Sequence, residues 1–306
     1  MKLTHPLHGL VAAPHTPFKP DGSLNLAVIE AQAAHLLRNG INIAFIVGTT
    51  GECQSLTLDE RRALAQRWFE VTKGAALKVV VHVGSNCLAD ARALAAQAEQ
   101  LGAVSISTFA PSYFKPRSLD VLIACCADIA AAAPSTPFYF YDIPGFTGVV
   151  FSMPDFLEQA QERIPTLAGI KFTNADLMSY QRCLRAGGDR FDVPYGSDEW
   201  LLAALALGAK GAVGSTYNFA APIYHRLWKA FAAGDLETAR QEQYRSVQLI
   251  HLLVRHGFMG AAKATMTLLG VDVGPARLPS GSLTASQTQA LRAELETLGF
   301  FDWIRL

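Results

Sequence analysis

This sequence of 306 residues has neither an excess of charge of one sign nor a long hydrophobic run. Lys and Arg together number 26, as do Asp and Glu, so the formal net charge is zero. Nucleic-acid binders usually carry a basic excess or stripe, so we predict no nucleic-acid partner. The longest apolar stretch, residues 121–133, is interrupted by Asp128 and is too short to cross a bilayer. We therefore predict no membrane partner and expect an enzyme that acts on a small molecule.

Cysteine is scarce and follows no pattern. The five cysteines form no CxxC pair, which is typical of reduced thiols in a protein without a disulfide framework. Residues 1–6 lack the apolar segment of a secretory signal. Together these features predict a cytoplasmic location.

Several familiar catalytic motifs are absent as well. The eight histidines show no HExxH or other ligand spacing, so we predict no metal site. There is no GxSxG nucleophile turn, no GxxxxGK[ST] phosphate loop and no GxGxxG fingerprint. These absences argue against a metal site and a Ser-His-Asp nucleophile, and they show that the Gly48–Glu52 loop is not a nucleotide-binding motif.

Short apolar runs alternate with longer amphipathic segments along most of the chain. Hydrophobic residues make up 50% of the sequence and charged residues 17%, which excludes a disordered role. Runs rich in Val, Ile and Phe are typical of parallel strands buried on both faces. The predicted strands are Leu10–Ala13, Ala44–Val47, Val79–Val83, Val104–Ser107, Phe138–Tyr141, Ala168–Lys171, Asp192–Tyr195 and Gly211–Gly214. The predicted helices between them include Ala27–Arg38, Asp59–Thr72, Ala89–Leu101 and Glu199–Leu207.

Eight strand-then-helix units predict an α/β fold of the (β/α)₈ TIM barrel type. An open doubly wound sheet is the alternative, but it normally stops at five or six strands. We assign residues 1–234 to a barrel that carries the active site. The strand pattern ends there, and residues 235–306 are predicted to form a C-terminal helical extension packed on the barrel. Its predicted helices are Asp235–His256, Ala261–Leu269 and Thr284–Leu298.

Active sites of such barrels lie at the carboxyl ends of the strands. Lys171 ends the apolar run 167–170, whereas Lys78 and Lys210 precede their strands and should lie at the opposite end. A lysine amine among apolar neighbours is desolvated, which favours the neutral, nucleophilic form. A structural ion pair is the alternative for Lys171, and its position alone does not decide between the two.

Two further strand ends carry polar groups. Tyr141 ends the fifth predicted strand, where its phenol could transfer protons. Taken alone, a tyrosine at a strand end is more often a packing residue, but its place one strand before Lys171 favours a functional role. Gly48–Glu52 follows the second strand, and the hydroxyls of Thr49 and Thr50 with closely spaced backbone N–H groups suit a small carboxylate. A plain strand-to-helix turn would have a similar sequence.

The last two predicted strands also end in polar residues. Asp198 and Glu199 follow the seventh strand and Gly196, and they could bind the hydroxyls of a polyol or cap the next helix. Ser215 and its neighbours, in the segment 214–218, offer hydroxyl and amide groups after the eighth strand. No nearby Arg or Lys supports a phosphate site there.

Four motifs at the ends of strands two, five, six and eight stand in this order: Gly48–Glu52, Tyr141–Pro144, Gly169–Lys171 and Gly214–Asn218. Their combination, over nearly the whole chain, resembles the dihydrodipicolinate synthase / N-acetylneuraminate lyase superfamily of pyruvate-dependent class I aldolases. The resemblance implies a Schiff base between Lys171 and the C2 carbonyl of a keto acid. It also implies that the reaction needs no cofactor, because the imine itself accepts the electrons.

Within the superfamily the sequence looks most similar to the N-acetylneuraminate lyase branch. Synthases commonly have an arginine shortly after the fifth strand, and residues 145–148 contain none. The acidic pair Asp198–Glu199 and the segment Gly274–Pro279 also look lyase-like. This branch implies reversible cleavage of N-acetylneuraminate to N-acetylmannosamine and pyruvate. The alternatives are a related pyruvate-dependent enzyme and a non-catalytic sugar-acid sensor. The related enzyme would be an aldolase for 2-keto-3-deoxy sugar acids, a dihydrodipicolinate synthase-like enzyme or a hydratase-aldolase.

The resemblance also implies roles for single residues and an assembly. Tyr141 would transfer the proton, and Tyr113 would be lent across a subunit interface of a homotetramer. The keto acid would be bound by Thr49, Thr50, Thr173, Gly196, Asp198, Glu199 and Ser215. Asp142 stands where bacterial lyases usually have Asn, and Cys53–Gln54 replaces smaller or apolar residues. Both departures concern the sugar end of the pocket.

Overall fold

Seven short parallel strands surround the centre of the molecule. The structure is a computed structural model and describes residues 5–188 and 190–305. Each strand has four to six residues, nearly all buried, as expected of apolar runs that face helices on one side and the barrel interior on the other. The strands are β1 (Gly9–Ala12), β2 (Ile43–Ile46), β3 (Lys78–His82), β4 (Ser105–Phe109), β5 (Phe138–Asp142), β6 (Leu167–Phe172) and β7 (Gly211–Gly214).

The segment 192–195 closes the barrel between the two end strands. The hydrogen-bonded order is β6-β5-β4-β3-β2-β1-β7. Isolated bridges join Asp192 to Gly169 and Tyr195 to Phe172 on the β6 side, and Tyr195 to Ala212 on the β7 side. The predicted seventh strand is thus in its expected place but forms bridges rather than a continuous ladder, because Pro194 has no N–H to donate. The predicted TIM barrel is confirmed.

Helices follow the strands and cover the outside of the barrel. In chain order they are α1 (Val28–Arg38), α2 (Leu58–Thr72), α3 (Leu88–Gln100), α4 (Leu119–Ala130), α5 (Pro144–Thr147), α6 (Met153–Ala160), α7 (Leu177–Arg185), α8 (Leu201–Leu207), α9 (Ala221–Ala232), α10 (Leu236–Arg255), α11 (Phe258–Leu268), α12 (Ala285–Leu298) and α13 (Phe300–Trp303). Capping boxes fix two of the starts: Thr57 with Glu60 at α2, and Thr284 with Gln287 at α12. The predicted helix 199–207 is instead a 3₁₀ turn, Asp198–Trp200, followed by α8. In the described ranges, no helix is long and apolar enough to span a membrane.

The C-terminal helices pack directly onto the barrel. Leu249 and Leu253 of α10 and Met266 of α11 are buried in the same apolar core as the strands. Gln243 of α10 accepts a hydrogen bond from the backbone of Leu202 at 2.8 Å and donates one to the carbonyl of Asp198 at 3.2 Å. The extension therefore contacts the rim where the strands end. The predicted boundary after residue 234 lies in the turn between α9 and α10, and the division into two units stays a prediction.

Candidate active site

Lys171 lies in the interior of the barrel near the carboxyl end of β6. Its side chain is buried, with 4% of its surface exposed. The amine lies 3.8 Å from the ring centre of Tyr141 and 4.5 Å from that of Phe45. Among residues 5–188 and 190–305, no carboxylate forms an ion pair with it. The structural ion pair left open by the sequence is therefore not found in this part of the chain, and the amine is surrounded by aromatic faces.

Tyr141 is the direct neighbour of Lys171 across the β5–β6 pairing. Its hydroxyl lies 3.4 Å from Oγ1 of Thr49, so the second, fifth and sixth predicted strand ends meet at one point. The ring is buried and packs edge-on against Phe45 and His82, at 6.0 and 5.8 Å between ring centres. This packing fixes the phenol beside the amine, which is the arrangement that proton transfer requires.

The turn Gly48–Glu52 joins this group to the end of β7. Thr50 Oγ1 lies 2.6 Å from Oγ of Ser215, and either hydroxyl could donate. Val47 and Glu52 flank the turn with φ of 54° and 55°, in the left-handed region that residues with a Cβ seldom adopt. The turn is therefore strained at both ends. The structure brings Thr49, Thr50 and Ser215 to the same rim as Lys171.

Thr173 and Gly196 face each other beyond the end of β6. A Cβ on Gly196 would collide with Oγ1 of Thr173, so only glycine fits there. That hydroxyl is buried and has no partner in the described part of the chain. The backbone N–H of Thr173 donates to the carbonyl of Asp142 at 2.8 Å, which anchors the residue. A buried hydroxyl held in place without a partner is suited to bind a ligand.

Asp198 is buried and reaches across to the loop after β7. Its Oδ2 accepts hydrogen bonds from the backbone N–H and the hydroxyl of Thr216, at 2.9 and 2.6 Å. Its Oδ1 lies against Gly214, buried and without a partner among the residues described. Neither the 3₁₀ turn nor α8 has a side-chain cap, so the helix-capping alternative is wrong for Asp198. Glu199 lies next to it, half-buried on the same turn.

Burial raises the pKa of Asp198 to about 6, and neighbouring Glu199 adds to this rise. The hydrogen bonds from Thr216 and the charge of Lys171 oppose it. Burial likewise raises the pKa of Asp142 to about 6, although Asn174 donates to its Oδ2 at 3.1 Å. Both carboxyls belong to the rim, and both change charge close to neutral pH.

Tyr113 lies in the loop after β4, and the structure does not bring it to the other candidates within this chain. Its side chain is 80% exposed, and its ring contacts that of Phe114, itself 86% exposed, at 5.0 Å. The backbone N–H of Tyr113 donates to Oδ1 of Asn86 at 3.1 Å, which fixes the loop rather than the ring. Two large aromatic rings thus project from the carboxyl end of the barrel.

Sequence reasoning missed two aromatic neighbours of the amine. His82 ends β3, and both of its ring nitrogens are buried without a partner in the described ranges. Like Lys171, His82 is a polar residue at the end of an apolar run, so the same signal could have identified it. Phe45 lies within a fully apolar run, and only the strand's alternation could have pointed it inward. In the described part of the chain, no group of three or more His, Cys, Asp or Glu could hold a metal ion.

A family model described as the dihydrodipicolinate synthetase family matches residues 6–298 of the chain. The chain belongs to this family. The predicted superfamily is therefore confirmed, and the match includes every candidate residue described above.

Proteins named as lyases and a protein named as a synthase resemble the chain along nearly its whole length. N-acetylneuraminate lyase of Gallus gallus is 39% identical over 300 residues, which cover 97% of each protein. The solved structure of Proteus mirabilis N-acetylneuraminate lyase superimposes with a TM-score of 0.94 at 41% identity, covering 97% of this chain and 100% of that one. A dihydrodipicolinate synthase from Cyanidioschyzon merolae, solved with lysine bound, has a TM-score of 0.88 at 32% identity, covering 96% and 98%.

The raised pKa of Asp198 gives a prediction about stability within this family fold. A carboxyl whose pKa rises from 3.8 to about 6 on folding binds more protons in the native state between these values. Stability therefore falls as the pH rises from about 4 to about 6, and the loss is complete above that range. Asp198→Asn has no charge to bury. The free energy of unfolding of the variant minus that of the wild type should therefore increase by on the order of 2 kcal/mol from pH 4 to pH 8. Urea denaturation of both proteins at the two pH values measures this difference, and an equal difference at both would contradict it.

Proposed function

We propose that this chain is a class I aldolase that cleaves N-acetylneuraminate reversibly to N-acetylmannosamine and pyruvate, with Lys171 forming the imine. The observation that carries the proposal is the amine of Lys171, buried among aromatic rings, with Tyr141 and Thr49 beside it. An amine held in this position can attack the carbonyl carbon of a bound keto acid, with a phenol beside it to transfer protons. The names of relatives about 40% identical along the whole chain support the same activity.

The proposed reaction starts with attack of the neutral amine on the C2 ketone of the open-chain sugar acid. Loss of water gives an iminium ion on Lys171, which accepts the electron pair of the C3–C4 bond when that bond breaks. Tyr141 takes the proton of the C4 hydroxyl, with the substrate carboxylate assisting, and the aldehyde leaves as N-acetylmannosamine. The remaining enamine is protonated at C3, and water then releases pyruvate from the lysine. The iminium ion supplies the electron sink, so the proposed reaction needs no cofactor.

The two ends of the substrate would meet different parts of the rim. Thr49 and Thr50, with the backbone N–H groups of their turn, would hold the carboxylate. The sugar chain would meet Thr173, Gly196, Asp198, Glu199 and Ser215. Among the described residues, the hydroxyl of Thr173 and Oδ1 of Asp198 are buried without a partner. A free carboxylate oxygen and a free hydroxyl are suited to bind the hydroxyl groups of a polyol.

We also propose a homotetramer in which Tyr113 reaches the active site of a neighbouring subunit. The exposed rings of Tyr113 and Phe114 support this, because aromatic side chains are enriched at protein interfaces. Multi-angle light scattering gives the mass directly. A monomer that has full activity would contradict the assembly. The cytoplasmic location rests on the cysteine pattern, and it stays a prediction.

Pyruvate release from a panel of acids tests the proposed activity. N-acetylneuraminate, 2-keto-3-deoxy sugar acids, and pyruvate together with an aldehyde acceptor should be compared at equal enzyme concentration. We expect kcat/KM to be highest for N-acetylneuraminate. Higher activity on a keto-deoxy acid, or condensation as the faster reaction, would identify a related pyruvate-dependent aldolase. Binding without any release of pyruvate would identify a sugar-acid sensor.

A further inference from the structure

A buried ion pair joins the C-terminal helices to the turn at the end of β2. Nζ of Lys263, on α11, lies 2.9 Å from Oε1 of Glu52 and also donates to the carbonyl of Pro275 at 2.6 Å. The two side chains are only 1% and 2% exposed, although they are 211 residues apart in the chain. Glu52 is the last residue of the turn that carries Thr49 and Thr50.

The C-terminal segment uses both oxygens of this carboxylate. While Lys263 binds Oε1, the backbone N–H of Arg277 donates to Oε2 at 2.8 Å. The backbone N–H of Glu52 in turn donates to the carbonyl of Thr49 at 3.0 Å. The side chain of Glu52 is thus held from the extension, and its backbone holds the turn.

Phe18, in the loop after β1, adds a second contact between the same partners. Its ring lies between two cations, 4.4 Å from Nζ of Lys263 and 4.3 Å from the guanidinium carbon of Arg277. The neighbouring Thr16 donates from its hydroxyl to the carbonyl of Gly51 at 2.6 Å. Arg277 also pairs with Glu60 at the start of α2. These contacts hold the turn from both the loop after β1 and the C-terminal extension.

Stability alone does not account for charges at this place. A buried ion pair is often no more stabilising than well-packed apolar residues of the same volume, because both charges lose their water. Glu52 moreover adopts a left-handed backbone conformation, which persists only where the surroundings impose it. A charged side chain bound at both oxygens by fixed donors can impose that conformation, and an apolar one cannot.

We infer that Glu52 and Lys263 are positioning residues, through which the C-terminal extension sets the geometry of the turn that binds the substrate carboxylate. This inference rests on the proposed function, since it assigns the carboxylate to Thr49 and Thr50. It makes the extension part of the substrate site, although no side chain described for residues 235–305 contacts Lys171 or Tyr141. Loss of the pair should slow imine formation with carbonyl compounds that carry a carboxylate. It should leave imine formation unchanged with those that lack one.

The test compares pyruvate with acetone, in which a methyl group replaces the carboxylate. Borohydride reduces the imine on Lys171, and mass spectrometry of the peptide that contains Lys171 gives the rate of its formation with each compound. The variant is the neutral pair Glu52→Gln with Lys263→Met, which leaves no single charge buried. We expect imine formation with pyruvate to slow by about tenfold to a hundredfold, because a displaced binding group costs this much. With acetone the rate should change by less than about twofold.

A matched control comes from another buried carboxylate of the extension. Glu242, on α10, binds Arg226 and Arg245 at 3.0 and 2.6 Å and has no contact with the turn in the described ranges. Glu242→Gln should leave the ratio of the pyruvate rate to the acetone rate unchanged. If the double variant does not fold, Glu52→Gln alone keeps one acceptor oxygen and should shift the ratio in the same direction.

Equal losses with pyruvate and acetone would show a general structural role and overturn the inference, as would wild-type rates with both. These results leave the proposed function intact, because the wild type would still form its imine. A wild-type chain that forms no imine with pyruvate on Lys171 would overturn the proposed function, and the inference with it.

Discussion

Replacing Lys171 with methionine is expected to abolish turnover and leave the barrel folded. Methionine has a similar length and is apolar, so it fits between the rings of Tyr141 and Phe45. It has no nucleophile, so the imine cannot form, and pyruvate release should fall by more than about 10⁴-fold. The free energy of unfolding should stay the same or rise, because a desolvated amine has been removed. Pyruvate release, borohydride trapping and urea denaturation measure the three effects.

Two lysines at the other end of the barrel provide the controls. Lys78 begins β3 and Lys210 precedes β7, and both are exposed. Lys78→Met and Lys210→Met should keep wild-type turnover and should still be trapped on Lys171. Turnover that survives in Lys171→Met, or an adduct mapped to a different lysine, would contradict the assignment of the imine.

The position of Lys171 could be predicted because it depends on local sequence. A polar residue that ends an apolar run lies at the carboxyl rim of a barrel, whatever the other strands contain. Its surroundings could not be predicted in the same way. Phe45 comes from a strand more than 120 residues earlier, and its ring reaches the amine only because the barrel closes.

The segment 192–195 shows where a pattern of strands is insufficient. Its apolar residues and its spacing predicted a strand, and the chain does pass through the seventh position of the barrel. Proline removes one donor from the ladder, so only isolated bridges form. The same irregular segment leads directly into Gly196 and Asp198. The surroundings of the Asp198 side chain depend on the loop after β7.

The contact that holds the turn Gly48–Glu52 could not be predicted from the sequence either. Thr49 and Thr50 stand in a recognisable motif, but the partner of Glu52 lies on a C-terminal helix with no characteristic spacing. The available signal was Lys263 itself, a charged residue within the apolar stretch 258–269. Such a residue is rarely buried without a partner, and a partner of opposite charge was therefore to be expected somewhere in the fold.

The barrel strands and the loops beyond them contribute differently to the site. Lys171 and Tyr141 lie on neighbouring strands in register, so their separation is fixed by the barrel itself. Asp142, Thr173 and Asp198 lie at or beyond the strand ends, where loop contacts set their positions. The pair on the strands would perform the chemistry that the family shares, and the residues at the rim would select the sugar acid.

Removing only the hydroxyl of Tyr141 should separate proton transfer from imine formation. In Tyr141→Phe the ring stays between Phe45, His82 and the amine, and the hydroxyl 3.4 Å from Thr49 is lost. Without a group to take the proton of the C4 hydroxyl, kcat for cleavage of N-acetylneuraminate should fall by about 10²- to 10⁴-fold. Imine formation with pyruvate should be slower, yet it should still reach completion on Lys171. Steady-state pyruvate release and borohydride trapping after long incubation measure the two steps.

Tyr139, two residues earlier on the same strand, is the matched control. Its buried hydroxyl donates to Oδ2 of Asp192 at 2.7 Å, near the amino end of β5 and away from the carboxyl rim. Tyr139→Phe should lower the free energy of unfolding by about 1 kcal/mol, because one buried hydrogen bond is lost, and kcat should stay near the wild-type value. If Tyr141→Phe instead loses stability but keeps kcat, its hydroxyl is a structural group like that of Tyr139, and another residue must carry the proton.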